Sequence, residues 1–198
     1  MREIIMATNN AHKLVEVRQI LGDEFLVKGL AEIGCHEDIP ETADSLEGNA
    51  IQKAQYVHDH YGVDCFADDT GLEVAVLGGA PGVYTARFGA MNGYGESHNA
   101  DANIQCLLDK LEEAEDRSAR FRTVVALVQN GEEHLFEGIV EGEILLQKVG
   151  EGGFGYDPVF APLEGNGLAF AQMSAEAKNA ISHRGRAIMN LVEFLKNN

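Results

Sequence analysis

Residues 3–21 read EIIMATNNAHKLVEVRQIL, and the fold class turns on how that stretch divides. Glu3–Ala7 is a short apolar run that predicts a strand. Thr8-Asn9-Asn10 then interrupts it with turn-forming residues. Beyond them Leu14, Val17 and Leu21, with Val15 and Ile20 alongside, recur at helical spacing and predict an amphipathic helix. A strand that feeds a helix through a polar loop is how an alternating α/β chain begins.

The alternation continues outward. Phe25–Val27 predicts a second strand. From Asp23 to Asn49 acids outnumber bases eight to one and Pro40 interrupts, which reads as an acidic loop. Ser45 is placed to cap a helix in which Leu46, Ala50, Ile51, Ala54 and Val57 share a face. Cys65–Ala67 and Leu72–Leu77 predict strands on either side of an Asp68-Asp69-Thr70-Gly71 turn. A helix follows from His98 to Leu111. Arg120–Gln129 and Glu132–Gly142 flank Asn130-Gly131, the signature of a two-residue hairpin. Pro158–Ala161 predicts one more short strand, and Ser182–Asn197 a closing helix that buries Ala187, Leu191, Phe194 and Leu195. Early alternation with a late hairpin means α/β with a mixed sheet.

The chain has 198 residues, 45% hydrophobic and 24% charged, enough for one domain, 1–198, with a substantial core. Lysine and arginine number 15 against 32 acids, a net charge of −17. That field repels nucleic acid polymers and anionic membranes, so neither is expected as a partner. A small anionic ligand remains compatible if some local patch is basic. Cys35, Cys65 and Cys106 form no CxxC pair and no zinc set, so they read as reduced structural thiols. No secretory leader fits residues 1–10 and no apolar run reaches membrane-spanning length, which points to the cytoplasm.

Four polar clusters could carry chemistry. Thr8-Asn9-Asn10-Ala11-His12-Lys13 lies at a helix N-terminus, where N–H groups and a lysine suit phosphate; a capped turn with a solvated lysine explains it equally. Asp68-Asp69 puts adjacent carboxylates at a strand end, where Mg²⁺ could sit with Glu41 as a further ligand; an exposed acidic turn is the alternative. Gly152–Pro158 interleaves glycine with Phe154 and Tyr156, fit for stacking on a flat ring or for a tight loop with core aromatics. Lys178 with His183, Arg184 and Arg186 forms a basic island facing one acid, Glu176, or an ordinary basic helix start. His58 and His60, two apart on a helix, do not share a face and are a poor metal pair. No Walker A, GxSxG or HExxH motif occurs. Taken together the clusters hold the inventory of a nucleotide-phosphate hydrolase.

Residues 7–13 (ATNNAHK), 66–89 (FADDTGLEVAVLGGAPGVYTARFG), 152–160 (GGFGYDPVF) and 178–187 (KNAISHRGRA), in this order and at these separations, resemble the Ham1/RdgB family of inosine triphosphate pyrophosphatases. The likeness runs from about Ile4 to Phe194. It implies an elongated mixed sheet flanked by helices, two lobes around a central cleft, and a homodimer. It also implies Mg²⁺-dependent cleavage of ITP, dITP or XTP to the monophosphate and pyrophosphate. By matching position, Thr8, Asn9, Asn10, Ala11, His12 and Lys13 would hold phosphates, and Glu41 and Asp69 the metal. Asp69 would accept the proton of the attacking water, with Asp68 and Lys13 assisting and Thr70 touching substrate. Phe154, Gly155, Tyr156 and Asp157 would enclose the base, and Lys178, His183 and Arg184 would complete recognition. A donor from His183, Arg184 or the backbone is expected to read the 6-oxygen, which adenine replaces with an amino group. Ala43, Gly48 and Gln172 depart from residues common in the family. A Maf-like pyrophosphatase and a nucleotide sensor without turnover are the competing readings.

Overall fold

The computed structural model describes residues 2–197. Chain contacts divide it into two compact units: one holds the residues up to Asp69, Thr123–Gly138 and the residues from Ser182 on, the other Thr70–Arg122 and Ile139–Ile181. Seven strands, β1 (Arg2–Met6), β2 (Phe25–Lys28), β3 (Cys65–Val74), β4 (Pro81–Gly82), β5 (Ser118–Gln129), β6 (Glu132–Ile144) and β7 (Phe160–Pro162), run in the order β2-β1-β3-β5-β6-β7, with β4 on β3. β1 pairs in parallel with β2 and β3, while β4 and β7 pair antiparallel with β3 and β6. The sheet is mixed, as the late hairpin requires.

In the first unit Ile4, Ile5 and Met6 are all buried, the continuous apolar run expected of a parallel strand covered on both faces. Helix α1 (Ala11–Leu21) begins on an Asn10 cap, whose side chain accepts from the His12 and Lys13 amides. Helix α2 (Leu46–Tyr61) begins on Ser45, whose hydroxyl accepts from Gly48 N–H. Val17, Leu21, Val27, Phe66, Val125 and Leu127 form the core with Ala187, Ile188, Leu191 and Leu195 of the closing helix. In the second unit short helix α3 (Phe88–Met91) precedes α4 (Ala100–Lys110). Leu72, Val74, Leu107 and Val140 pack there around Phe121, Phe160 and Phe170.

Four boundaries differ from the sequence expectation. The strand expected over Leu72–Leu77 ends at Val74, because Ala75–Leu77 is a helical turn. β3 runs unbroken through Asp68-Asp69-Thr70-Gly71; carboxylates normally stop a buried strand, but these have cationic partners drawn from distant segments. Residues Ala175–Ile181 form a separate helix, α5, before α6 (His183–Asn197). Ser182 separates them, its hydroxyl accepting from Gly185 N–H. The last strand is Phe160–Pro162, because Asp157–Val159 is a helical turn instead. The hairpin is as read: Asn130 and Gly131 both have positive φ, 52° and 79°, which a type I′ turn demands. All three cysteines are free and buried.

Gly138 on β6 lets α6 approach. A Cβ there would lie 2.0 Å from the His183 carbonyl oxygen and 2.5 Å from Ala187 N, and neither backbone atom can yield alone. Gly138→Ala is expected to cost about 3 kcal/mol or more in urea unfolding, as overpacking does when the backbone itself must shift.

Candidate active site

Asp68 lies at the centre of the first unit's polar cluster. Its side chain is fully buried, with Lys13 Nζ 3.1 Å and Arg184 Nε 3.1 Å from its oxygens. Its backbone carbonyl accepts from Lys53 Nζ at 2.8 Å. Burial alone would push this carboxyl up. Lys13, Arg184 and Lys53 outweigh burial and hold it well below the ordinary aspartate range, so Asp68 is a fixed anion. Arg184, itself buried, also donates to Glu16. Burial disfavours its charge, but Asp68 and Glu16 raise its pKa further.

Asp69, the next residue, is driven the other way. Burial pushes its carboxyl up, the Glu41 charge adds to that, and Lys53, Lys13 and the Asn49 amide do not cancel it. Asn49 Nδ2 donates to Asp69 Oδ2 at 3.0 Å. Lys53 Nζ bonds Glu41 Oε1 at 2.5 Å. Burial raises Glu41, yet Lys53 and Lys13 bring it below its usual value. Two adjacent carboxylates thus have their pKa values pushed apart: one is a fixed counter-ion, the other the more basic of the pair.

Lys13 is neither solvated nor aimed at open solution. Burial, with Lys53 and Arg184, lowers its pKa against the pull of Asp68 and Asp69. Thr8 Oγ1 accepts from Asn10 N–H at 3.1 Å, and Asn9 Nδ2 donates to the Glu37 carbonyl. The loop 8–12 is thus both a capped turn and the support of a lysine turned inward. Asn9, Asn10, Ala11 and His12 are exposed.

His183, buried, lies beside Arg184 in the first unit, and the second unit holds Thr70, Phe154, Gly155, Tyr156, Asp157 and Lys178. Asp157 and Lys178, both buried, are joined at 2.7 Å. Asp157 Oδ2 also accepts from Phe154 N–H at 2.8 Å. Lys178 Nζ lies 4.9 Å from the Phe154 ring centre and 5.6 Å from that of Phe170, a cation held against aromatic faces. Gly153 has φ of 72°, and a Cβ there would collide with the Asp157 carboxylate at 2.1 Å, so glycine lets the loop close on Asp157. Gly155 also has positive φ. Tyr156 is a core residue rather than an open ring: it is buried, donates to the Thr85 carbonyl at 2.9 Å, and burial pushes its phenol up. Thr70, half-buried, opens this unit's chain directly after Asp69.

Sequence reading missed Lys53, Asn49 and Glu16. The first two had a signal. Asn49 and Lys53 fall inside the stripe defined by Leu46, Ala50, Ala54 and Val57, and all six are buried; polar residues in an apolar stripe need buried partners. The departures at 43 and 48 explain one another. A Cβ at Gly48 would lie 2.6 Å from the Ala43 methyl, so Ala43 fills the space that a side chain at 48 would begin in.

Glu41 and Asp69 offer only oxygen donors, the set a hard divalent cation takes. Among the described residues no group of three or more acidic, histidine or cysteine side chains is placed to hold a metal. Two carboxylates with substrate phosphate oxygens suffice for Mg²⁺, so the residues fit such an ion.

A model described as the Ham1 family matches residues 4–194. The chain belongs to the Ham1 family. It is 55% identical over 196 residues to a dITP/XTP pyrophosphatase of Porphyromonas gingivalis, covering 98% of both chains. It is 50% identical over 195 residues to one from Flavobacterium psychrophilum, covering 98% of this chain and all of that one. The Ham1 protein of Staphylococcus aureus has the same fold, with a TM-score of 0.85 at 39% identity over 99% of each chain. A HAM1 protein from Coxiella burnetii matches at 0.86 and 37% over the whole of both. This membership favours the Ham1 reading over the Maf-like one.

Two outcomes follow. Gly48→Ala is expected to cost about 1–3 kcal/mol through its clash with Ala43, and Ala43→Gly in the same chain to recover most of it, both read by urea unfolding. Asp68→Asn leaves Lys13 and Arg184 without their buried counter-ion and is expected to lose about 3–5 kcal/mol at pH 7. Because the folded pKa of Asp68 is depressed, its contribution is complete above its unfolded value, about 4, and declines as pH falls toward the folded value. The stability gap between wild type and Asp68→Asn should therefore be widest near neutrality and narrow below about pH 4.

Proposed function

We propose that residues 1–198 form one catalytic domain that hydrolyses nonstandard purine nucleoside triphosphates, ITP, dITP and XTP, to the monophosphate and pyrophosphate, cleansing the nucleotide pool. The observation that carries this reading is the opposed treatment of Asp68 and Asp69 beside Lys13, Lys53 and Glu41. Relatives named dITP/XTP pyrophosphatases over nearly the whole chain support it.

Asp69 accepts a proton from the water that attacks the α-phosphorus. The bond from that phosphorus to the bridging oxygen breaks, and pyrophosphate leaves with the electron pair. Lys13, at the start of α1, places positive charge on the phosphates, an electrostatic stabilisation that needs no reorganisation during reaction. Asp68 keeps Lys13 and Arg184 in place. Every cation of this cluster already faces a carboxylate, so a triphosphate needs further positive charge. Mg²⁺ held by Glu41 and Asp69 supplies that charge when bound. Thr8, Asn9, Asn10, Ala11 and His12 line the phosphate side, and Thr70 touches substrate. Phe154, Gly155, Tyr156, Asp157 and Lys178 serve the base, where Tyr156 shapes the loop from the core. His183, Arg184 or a backbone N–H reads the 6-oxygen; adenine would leave that donor facing another donor, an unpaired group costing about 1–3 kcal/mol. The enzyme works in the cytoplasm as a homodimer. Among the described residues no helix is long and apolar enough to cross a membrane.

Pyrophosphate release with Mg²⁺ from ITP, XTP, dITP, ATP, GTP and modified pyrimidine triphosphates tests this. Turnover of the first three well above the rest is expected; turnover confined to pyrimidines, or tight binding without release, refutes it. Asp69→Asn should remain folded by circular dichroism and lose at least about a hundredfold in kcat, in line with the loss of a general base.

A further inference from the structure

The segment that carries Glu41 has little secondary structure of its own between Gly34 and Ser45, yet it must present a carboxylate to Asp69 on β3. α2 holds it by one stripe of side chains. Asn49 Oδ1 accepts from Ala43 N–H at 3.0 Å, and Gln52 Oε1 accepts from Thr42 N–H at 3.0 Å. Lys53 pairs with Glu41, and Tyr56 O–H donates to Glu37. These positions, 49, 52, 53 and 56, are linked by steps of three and four residues and share a face.

Within that stripe Asn49 differs from the rest. It is 1% exposed, and its amide works in two directions: the oxygen grips the Glu41 loop and the nitrogen grips Asp69 Oδ2. The two ends of a rigid planar amide therefore link the loop that carries Glu41, through the Ala43 N–H, to the Asp69 carboxylate. We propose that Asn49 is a positioning residue that sets the separation of Glu41 and Asp69 and turns the Asp69 carboxylate, so that both can engage one divalent cation. Lys53 of the same helix also spans both segments, but it reaches β3 at the Asp68 carbonyl, whereas Asn49 holds the Asp69 carboxylate itself. An aspartate could keep the acceptor but would lose the donor, and leucine would lose both, so asparagine is the residue that the double contact needs. The inference rests on the functional reading only in taking Glu41 and Asp69 as the cation's ligands.

The test is Mn²⁺ binding to the substrate-free protein, followed by electron paramagnetic resonance, with dITP turnover measured in parallel. Asn49→Ala is expected to weaken Mn²⁺ binding about tenfold or more, as loss of groups that orient metal ligands does, and to lower kcat while KM for dITP changes less than about twofold. A merely structural asparagine would lower the unfolding midpoint and leave the Mn²⁺ affinity of the folded protein unchanged; that result overturns the proposal whatever happens to kcat. Should Asn49→Ala fail to fold by circular dichroism, Asn49→Ser is read by the same criterion. A wild-type chain that turns over dITP but binds no Mn²⁺ also overturns it. Wild-type protein that binds Mn²⁺ but hydrolyses none of the nonstandard purine triphosphates refutes the proposed function, and leaves the Asn49 result to stand or fall by its own affinity measurement.

Discussion

An ionised carboxylate in the interior, Asp68, is the constraint on which the first unit depends. Removing a charge from water costs several kcal/mol unless partners surround it, and here the partners come from three helices. Lys13 arrives from α1, Lys53 from α2 and Arg184 from α6. Each helix must therefore sit where its cation reaches the same strand residue. Buried ion pairs are weak contributors to net stability but strict about geometry. The apolar core formed by Val17, Phe66, Leu127 and Leu191 supplies the driving force for folding; the Asp68 cluster decides the arrangement that brings these helices to β3.

The same rule, charge buried only with its opposite, shapes the second unit on a smaller scale. Lys178 and Asp157 neutralise one another, and the pair fixes the loop at Gly153–Phe154 by accepting the Phe154 amide and laying an ammonium beside the ring. In both places cations that a charge count would offer to an anionic ligand are already engaged. Lys178 and Arg184 of the basic island at 178–186 belong to separate units, and each answers a carboxylate.

Much of the fold was legible because it rests on local patterns. The β1–α1 opening, the Ser45 cap and the Asn130-Gly131 hairpin each follow from a few neighbouring residues whose backbone preferences agree with the global structure. The errors fell where distant partners override local preference. Asp68-Asp69-Thr70-Gly71 has the composition of a turn, yet it continues β3 because the first carboxylate is met by lysine and arginine from elsewhere. For Tyr156 the sequence left a stacking platform and a core aromatic both open, and the structure puts its ring in the core with its hydroxyl on Thr85. Ala43 and Gly48 look like two unrelated departures from a family pattern, and only their contact shows that they share one volume.

By itself the amino-acid order determined the element sequence, the sheet class, the membership that four ordered motifs imply, and which residue types were available for phosphate and metal chemistry. Those are properties of short windows and of spacing, and they survive without coordinates. Only the tertiary structure decided which of two identical neighbours has its carboxyl pKa held down and which has it pushed up, and that Asn49 and Lys53 belong with them. Protonation depends on the burial and charge that surround each oxygen, and here those surroundings are assembled from segments more than a hundred residues apart in the chain, as from Asp68 to Arg184 (116 residues).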